Sequence, residues 1–436
     1  MKHKKDKIKI ITLGCSKNLV DSEHILALLQ LNDFEVTDDD FAADNIIINT
    51  CGFIESAKKE SIDTIVKAVD LKVKGKIKNV YVAGCLSDRY KSELEKEIPE
   101  VDKYFGSTDK PNTISGILSE LGIDYKNNLI GQRSITTPSH FAYLKISEGC
   151  DNPCSFCAIP IMRGRHVSKP LDNVLTEAKN LASRGVKELI IIGQDTTCWG
   201  FDIYGKRELS KLLVEISKTD GIEWIRLMYA YPSRFPEDVI EVINNNDKIC
   251  KYIDIPIQHI SDNVLKSMRR GITKKNQLKL LEKIKNEIDG VAVRTTLITG
   301  YPEETEKDFM ELINFVEEFK FDRLGVFTYS HEESTFAASL PDRIPMKEKI
   351  CRQKEILDVQ KKISIEKNTE SINKTFKTLI DRKENNFYIG RSYKDAPEID
   401  QEIYINGNDL KTGEFYDVRI FDAEEFDLFG EWKNKF

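Results

Sequence analysis

Short β-rich runs and helically spaced apolar positions alternate through most of the chain, and a change in that rhythm near each end of the middle section divides it into three regions. In the first, residues 9–13, 46–49 and 79–83 are runs of apolar and β-branched residues, while 22–31 and 56–73 repeat apolar positions at helical spacing. Strand, helix and strand in turn predict a doubly wound parallel sheet. Polar residues and turn formers over 122–139 read as a linker.

The middle region repeats the alternation six times. Candidate strands are 141–146, 188–192, 224–229, 252–257, 291–298 and 323–329, with helical stretches such as 171–184, 274–288 and 304–319 between them. Six units predict a partial (β/α)6 barrel of TIM type rather than the closed eight-unit form. Residues 346–370 are charged and helix-prone. Beyond them, 375–381, 386–392, 402–405 and 414–421 are short runs separated by Gly, Asn and Asp turns, the pattern of a small antiparallel β-barrel. The expected organisation is thus an α/β chain with domains at 6–122, 136–368 and 371–436.

Composition changes this picture little. At 436 residues the chain exceeds what one core usually organises. Hydrophobic residues at 40% and charged residues at 31% exclude a disordered chain. The basic start is followed only by the short apolar run 8–13, too brief for a signal peptide, and nothing approaches the roughly 18 apolar residues of a bilayer span. A cytoplasmic protein without membrane contact is expected, and its nine cysteines should stay reduced there. Net charge is −7. From Ser371 onward ten Lys and Arg stand against fourteen Asp and Glu, so the last region is the acidic one.

Grouped cysteines in a reducing compartment point to metal. Cys150, Cys154 and Cys157 lie within eight residues directly after the first barrel strand. Three thiolates can each hold one iron of a [4Fe-4S] cube and leave the fourth iron for a chelating small molecule. A zinc knuckle is the alternative, with His166 or Cys198 as its fourth ligand. A second set is dispersed: Cys15, Cys51 and Cys85 each follow a predicted strand and each adjoins a glycine, Gly14, Gly52 or Gly84. Ligand sites in such sheets lie at the carboxyl ends of strands, which would bring the three thiols to one edge and hold a second cluster. Their alternative is that of small buried hydrophobes. Cys198, Cys250 and Cys351 have no such partners and read as structural. His3, His24, His140 and His331 have no metal-ligand spacing.

With these residues the chain resembles the methylthiotransferase family of radical S-adenosylmethionine (SAM) enzymes along essentially its whole length. The first region is similar to that family's cluster-binding domain, the second to its radical SAM barrel and the third to its TRAM barrel. Within the family, the stretch from Thr12 to Glu23, together with Asp254 to Asp262 and Met268-Arg269-Arg270-Gly271, resembles the RimO type, which modifies ribosomal protein S12. The resemblance implies two [4Fe-4S] clusters, on Cys15, Cys51 and Cys85 and on Cys150, Cys154 and Cys157. It implies two uses of SAM, as methyl donor and as source of a 5'-deoxyadenosyl radical, to methylthiolate the β-carbon of an aspartate.

Polar groups at the carboxyl edge of the barrel should grip SAM. Gly193-Gln194-Asp195 occupies the place of the family's Gly-Gly-Glu motif and departs from it, and Gln258 and His259 end the fourth strand. The turn from Thr299 to Pro302 lies on the adenine side or is a plain strand-to-helix turn. An acidic last region favours a basic protein such as S12, free or in the small subunit, over tRNA, unless Lys374, Lys377 and Lys383 form a local basic face. A reductant protein and a sulfur source are also expected partners. A tRNA methylthiotransferase and a non-catalytic iron-sulfur redox sensor are the other readings.

Overall fold

A computed structural model describes residues 6–32, 34–39, 42–107, 113–121, 131 and 133–432. Most of the expected linker, 122–130 and 132, lies outside them. The chain divides into two compact units. Unit 1 comprises residues 1–136, 143–151 and 158–180, and unit 2 comprises 137–142, 152–157 and 181–436.

Unit 1 is built on a parallel sheet of β1 (Lys7–Thr12), β2 (Glu35–Val36), β3 (Asn45–Thr50), β4 (Asn79–Gly84) and β5 (Lys103–Tyr104), in the order β2-β1-β3-β4-β5. Successive residues of β3 and β4 enter different cores: Ile46, Ile48, Val80 and Val82 one, Ile47, Tyr81 and Ala83 the other. A sheet buried on both faces reads as a continuous apolar run, hence the expected strands. Helices α1 (Ser16–Leu31), α2 (Glu55–Val73) and α3 (Cys85–Glu97) follow β1, β3 and β4. Helix α1 starts six residues before its apolar spacing does, because its first turns bury Asn18, Asp21, Ser22 and Glu23 alongside a single hydrophobe, Val20. Helix α3, mostly charged, had no sequence expectation.

The middle strands are β6 (Phe141–Lys145), the short antiparallel pair β7 (Ser147–Glu148) and β8 (Val167–Ser168), and then β9 (Glu188–Ile192), β10 (Trp224–Leu227), β11 (Ile249–Asp254), β12 (Ala292–Thr299) and β13 (Arg323–Thr328). Six of them form an open sheet, ordered β6-β9-β10-β11-β12-β13, with parallel pairing from β9 onward. The fourth strand lies three residues before its expected position. Ile255 and Ile257 are buried after its end, and Pro256, which has no N–H for a ladder, closes it. The helix expected from 304 begins at Glu306, where Thr305 and Asp308 form a capping box.

After the helix Met346–Thr369, strands β14 (Thr375–Glu384), β15 (Phe387–Ser392), β16 (Glu402–Asn406), β17 (Phe415–Ala423) and β18 (Asp427–Glu431) close a barrel around Ile380, Ile403, Ile405, Val418 and Ile420. The expected antiparallel barrel has one parallel pair, β16 with β18, and β18 was hidden by its acidic surroundings. The barrel docks on the amino ends of the unit 2 strands. Glu188 binds Arg226 and Arg391 at 2.8 Å each, Arg391 binds Asp381 at 2.6 Å, and Arg294 meets Asp400 at 3.3 Å. Conserving that end of a parallel sheet for docking leaves the carboxyl ends for chemistry.

Candidate metal centres

The first cysteine set converges through its glycines. Gly14 has φ +90°, and a Cβ there would lie 2.6 Å from Cys51 Cβ and 2.9 Å from its Sγ. Gly84 has φ +99°, with Thr50 O 2.5 Å from where its Cβ would be. Gly52 sits equally tightly on Leu86 Cα, at 2.8 Å. At the carboxyl ends of β1, β3 and β4 the segments therefore leave no room for a side chain at these glycines: Gly14 lies on the Cys51 side chain, and Gly52 and Gly84 lie on neighbouring backbone. Cys15 caps the start of α1 and Cys85 opens α3, two positions where helix dipoles favour a thiolate. Cys15 is exposed, whereas Cys51 and Cys85 are buried.

Asn18 ties this edge together. Its Nδ2 donates to Leu13 O at 2.8 Å and to Thr50 O at 3.0 Å, and Asn49 Nδ2 donates to its carbonyl at 2.9 Å. Arg163, at the end of the short helix Ile159–Arg163, reaches the same place. Its Nε donates to Cys85 Sγ at 3.2 Å, and its Nη1 donates to Asp21 at 2.8 Å and to Glu148 at 3.2 Å. Lys145 completes the group through Asp21 and, at 2.9 Å, Glu148. Burial pushes the Cys85 thiol up to about 12, with neighbouring Cys15 and Cys51 adding to the rise and Arg163 opposing it. Burial likewise raises Cys51.

The second set occupies one loop. Gly149, with φ +72°, brings Cys150 against the 164–165 backbone, and Cys150 N donates to Gly164 O at 3.2 Å. In unit 2, Asn152 Nδ2 donates to Asp195 Oδ2 at 2.8 Å, Ser155 N to Met268 O at 3.0 Å, and Cys157 N to Cys154 O at 3.2 Å. Phe156 packs with Val264, Met268, Tyr301 and Tyr329. Cys154 Sγ lies 3.5 Å from Tyr231 Oη and accepts from Arg270 Nη1 at 3.3 Å.

The expected SAM residues separate into two kinds. Gly193 and Gln194 follow β9 directly, and Gln258 follows β11 with φ +71°, a strained value for a residue with a side chain. Gln258 Oε1 is buried without a hydrogen-bond partner among the described residues. Asp195 and His259 are committed elsewhere. Asp195 Oδ1 caps a 3-10 turn by accepting from Thr197 N at 3.0 Å and Thr197 Oγ1 at 2.6 Å. His259 is fully buried, its Nδ1 accepts from Ser261 N at 3.0 Å, and burial holds it down at about 3. The turn at Thr299 is occupied by Glu304, which accepts from Gly300 N at 2.9 Å.

Among the described residues no three His, Cys, Asp or Glu side chains converge on one metal-ion position. Cluster thiolates bind separate irons and need no common point. His166, the proposed fourth zinc ligand, shares a hydrogen bond with Ser168 at 3.0 Å. Asn18, Asp21, Arg163, Tyr231 and Arg270 had no sequence expectation of a role. The available signals were the family-like stretches that contain Asn18, Asp21 and Arg270 and the polar residues on the buried face of α1.

No helix among the described residues is long and apolar enough to cross a membrane. The chain matches the uncharacterized protein family UPF0004 over residues 7–106, the radical SAM superfamily over 144–316 and the TRAM domain over 372–432. The ribosomal protein uS12 methylthiotransferase RimO of Christiangramia forsetii is 52% identical over 98% of this chain and 94% of its own. The protein of the same name from Cytophaga hutchinsonii is 53% identical over 98% of each. Among solved structures, the radical SAM methyltransferase TsrM of Kitasatospora setae covers 74% of this chain and 75% of its own with a TM-score of 0.53. At 14% identity that likeness is one of fold.

Proposed function

Because the chain belongs to the RimO family of radical SAM methylthiotransferases, we propose that it methylthiolates the β-carbon of an aspartate in ribosomal protein S12. When bound, two [4Fe-4S] clusters and SAM supply the methyl group, the sulfur-transfer centre and the 5'-deoxyadenosyl radical that takes a hydrogen from an unactivated carbon. The observation that carries the reading is the packing of three glycine-flanked loops that brings Cys15, Cys51 and Cys85 to one sheet edge. In a reduced protein such an edge suits a cluster better than three unrelated thiols do.

In this reading Cys15, Cys51 and Cys85 hold one cluster and Cys150, Cys154 and Cys157 the other. The buried Arg270 and Arg163 beside one sulfur of each set fit anionic groups there. Gly193, Gln194 and Gln258 face SAM at the carboxyl edge. Asp195 serves it indirectly by holding Asn152 of the cysteine loop, and His259 by ordering the end of β11. Domains at 6–122, 136–368 and 371–436 would divide these tasks, the last recruiting the substrate from the opposite end of the unit 2 sheet.

S12 is favoured over tRNA by the acidity of the last region. Lys377 there is paired with Glu223 at 3.0 Å, so it adds no unpaired charge for phosphates. A cytoplasmic enzyme served by a reductant protein and a sulfur source follows from this chemistry. The test is anaerobic incubation of reconstituted protein, SAM, sulfide and dithionite with S12 and, separately, with tRNA, followed by mass spectrometry. A methylthio group on an S12 aspartate is expected. Modification of tRNA alone would replace this reading, and absence of 5'-deoxyadenosine would leave a redox sensor.

A further inference from the structure

We propose that Arg270 is a positioning residue of the cluster held by Cys150, Cys154 and Cys157, where its hydrogen bond to the Cys154 sulfur and its positive charge make one-electron reduction easier. This rests on the cluster reading above and names a residue that shapes its chemistry without touching the reacting atoms.

Arg270 is 4% exposed. Its Nη1 donates to Cys154 Sγ at 3.3 Å and its Nη2 to the Pro256 carbonyl. Its Nε is buried without a hydrogen-bond partner, and no Asp or Glu pairs with it among the described residues. The ionisable groups facing it are Cys154, Tyr231 and Cys157. A buried guanidinium lacking a carboxylate is costly, and an anion on Cys154 removes that cost.

The surroundings aim the group. Arg269 and Gly271 have φ of +54° and +65°, so the chain turns sharply on both sides of Arg270. The guanidinium lies 4.4 Å from the Tyr231 ring centroid, and Tyr231 Oη donates to the Arg270 carbonyl at 2.8 Å. Stacking and hydrogen bond fix the fork in a single direction, towards sulfur.

Arg163 shows what is distinctive here. It too donates to a cysteine sulfur, but Asp21 and Glu148 face it and balance its charge. When the cluster accepts one electron from an external donor, no bond forms or breaks and its negative charge rises by one. An unbalanced cation beside a sulfur ligand stabilises that added charge, while a balanced one does so far less.

The test uses the full-length chain carrying Cys15→Ala, Cys51→Ala and Cys85→Ala, so that one cluster remains. After anaerobic reconstitution, that parent and its Arg270→Gln and Arg270→Lys derivatives are titrated with dithionite while the reduced cluster is followed by electron paramagnetic resonance. In Arg270→Gln, iron content stays at the parent level and the reduction equilibrium constant falls about tenfold, or about 59 mV for one electron. Arg270→Lys, which keeps the charge, recovers most of that loss. A parent-like potential in Arg270→Gln overturns the proposal. If Arg270→Gln loses its iron, Arg270→Lys decides: a parent-like potential supports the charge role, and a tenfold fall overturns it. A parent that binds no iron would instead sink the cluster reading itself.

Discussion

The two cysteine sets are assembled by opposite routes. In unit 1, three residues separated by more than thirty positions meet because adjacent strands of one sheet end at the same edge. In the other set, one loop supplies all three within eight residues. The first set is a product of topology and needs Gly14, Gly52 and Gly84 to let neighbouring segments come close. The second is local, and its supports are side chains brought to it: Asp195 through Asn152, Tyr231 and Arg270. Electrostatics divide them as well. Arg163 shares its charge with two carboxylates, and Arg270 has only sulfur, a carbonyl and an aromatic ring.

Removing either triad should separate the two roles most sharply. Replacing Cys150, Cys154 and Cys157 by Ala should abolish 5'-deoxyadenosine formation. Replacing Cys15, Cys51 and Cys85 should leave 5'-deoxyadenosine formation in place and abolish methylthio transfer to S12. Each triple variant should bind about four irons where the parent binds about eight. Iron analysis and chromatography of the nucleoside read both outcomes, and equal loss of both activities in both variants would mean that the sites do not have separate tasks.

A smaller effect should distinguish a topological site from a local one. Gly84→Ala places a methyl group against the Thr50 backbone, which cannot move aside, in a conformation strained for any side chain. A loss of about 3 kcal/mol is expected, with iron lost from the first cluster only. Gly75→Ala, in the same unit with φ +68° and open space around it, should cost about 1 kcal/mol and leave iron unchanged. Urea denaturation and iron content report the difference. If both glycines behave alike, close approach of the loops is not what assembles the site.

Much of this was legible before any coordinates. Strand and helix alternation gives both parallel sheets, because strands buried on both faces read as apolar runs, as Leu189 to Ile192 of β9 do, while the buried Glu188 that opens β9 is neutralised by Arg226 and Arg391. The six candidate cysteines stand out by spacing and strand ends. Partners selected by tertiary packing could not. Arg163 looks like one basic residue among many, and Arg270 stood out only as part of a family-like stretch with no role attached; what each touches is a sulfur distant in sequence. Helix α3 and strand β18 were missed for a related reason: both are rich in charge, and each is held by neighbouring elements rather than by an apolar pattern of its own.

His259 offers the finest distinction, between a residue at the open edge of unit 2 and one within its framework. Sequence placed it with Gln258 as a SAM contact, whereas its ring is fully buried, 3.7 Å from Glu304, with Asp308 and Arg352 as its other charged neighbours. Burial holds its folded pKa at about 3 against an ordinary 6.5. Neutral in the fold, it gains a proton on unfolding once pH drops below 6.5, so stability present above that pH drains away as pH falls towards 3. At pH 5 the loss from this one residue is about 2 kcal/mol. His259→Gln should therefore lose about 2 kcal/mol less than the parent between pH 7.5 and pH 5, measured by urea denaturation at each pH. Identical pH dependence in the two proteins would mean that the imidazole titrates freely in the fold, as a side chain lining the SAM site would, and would return His259 from the framework to the edge.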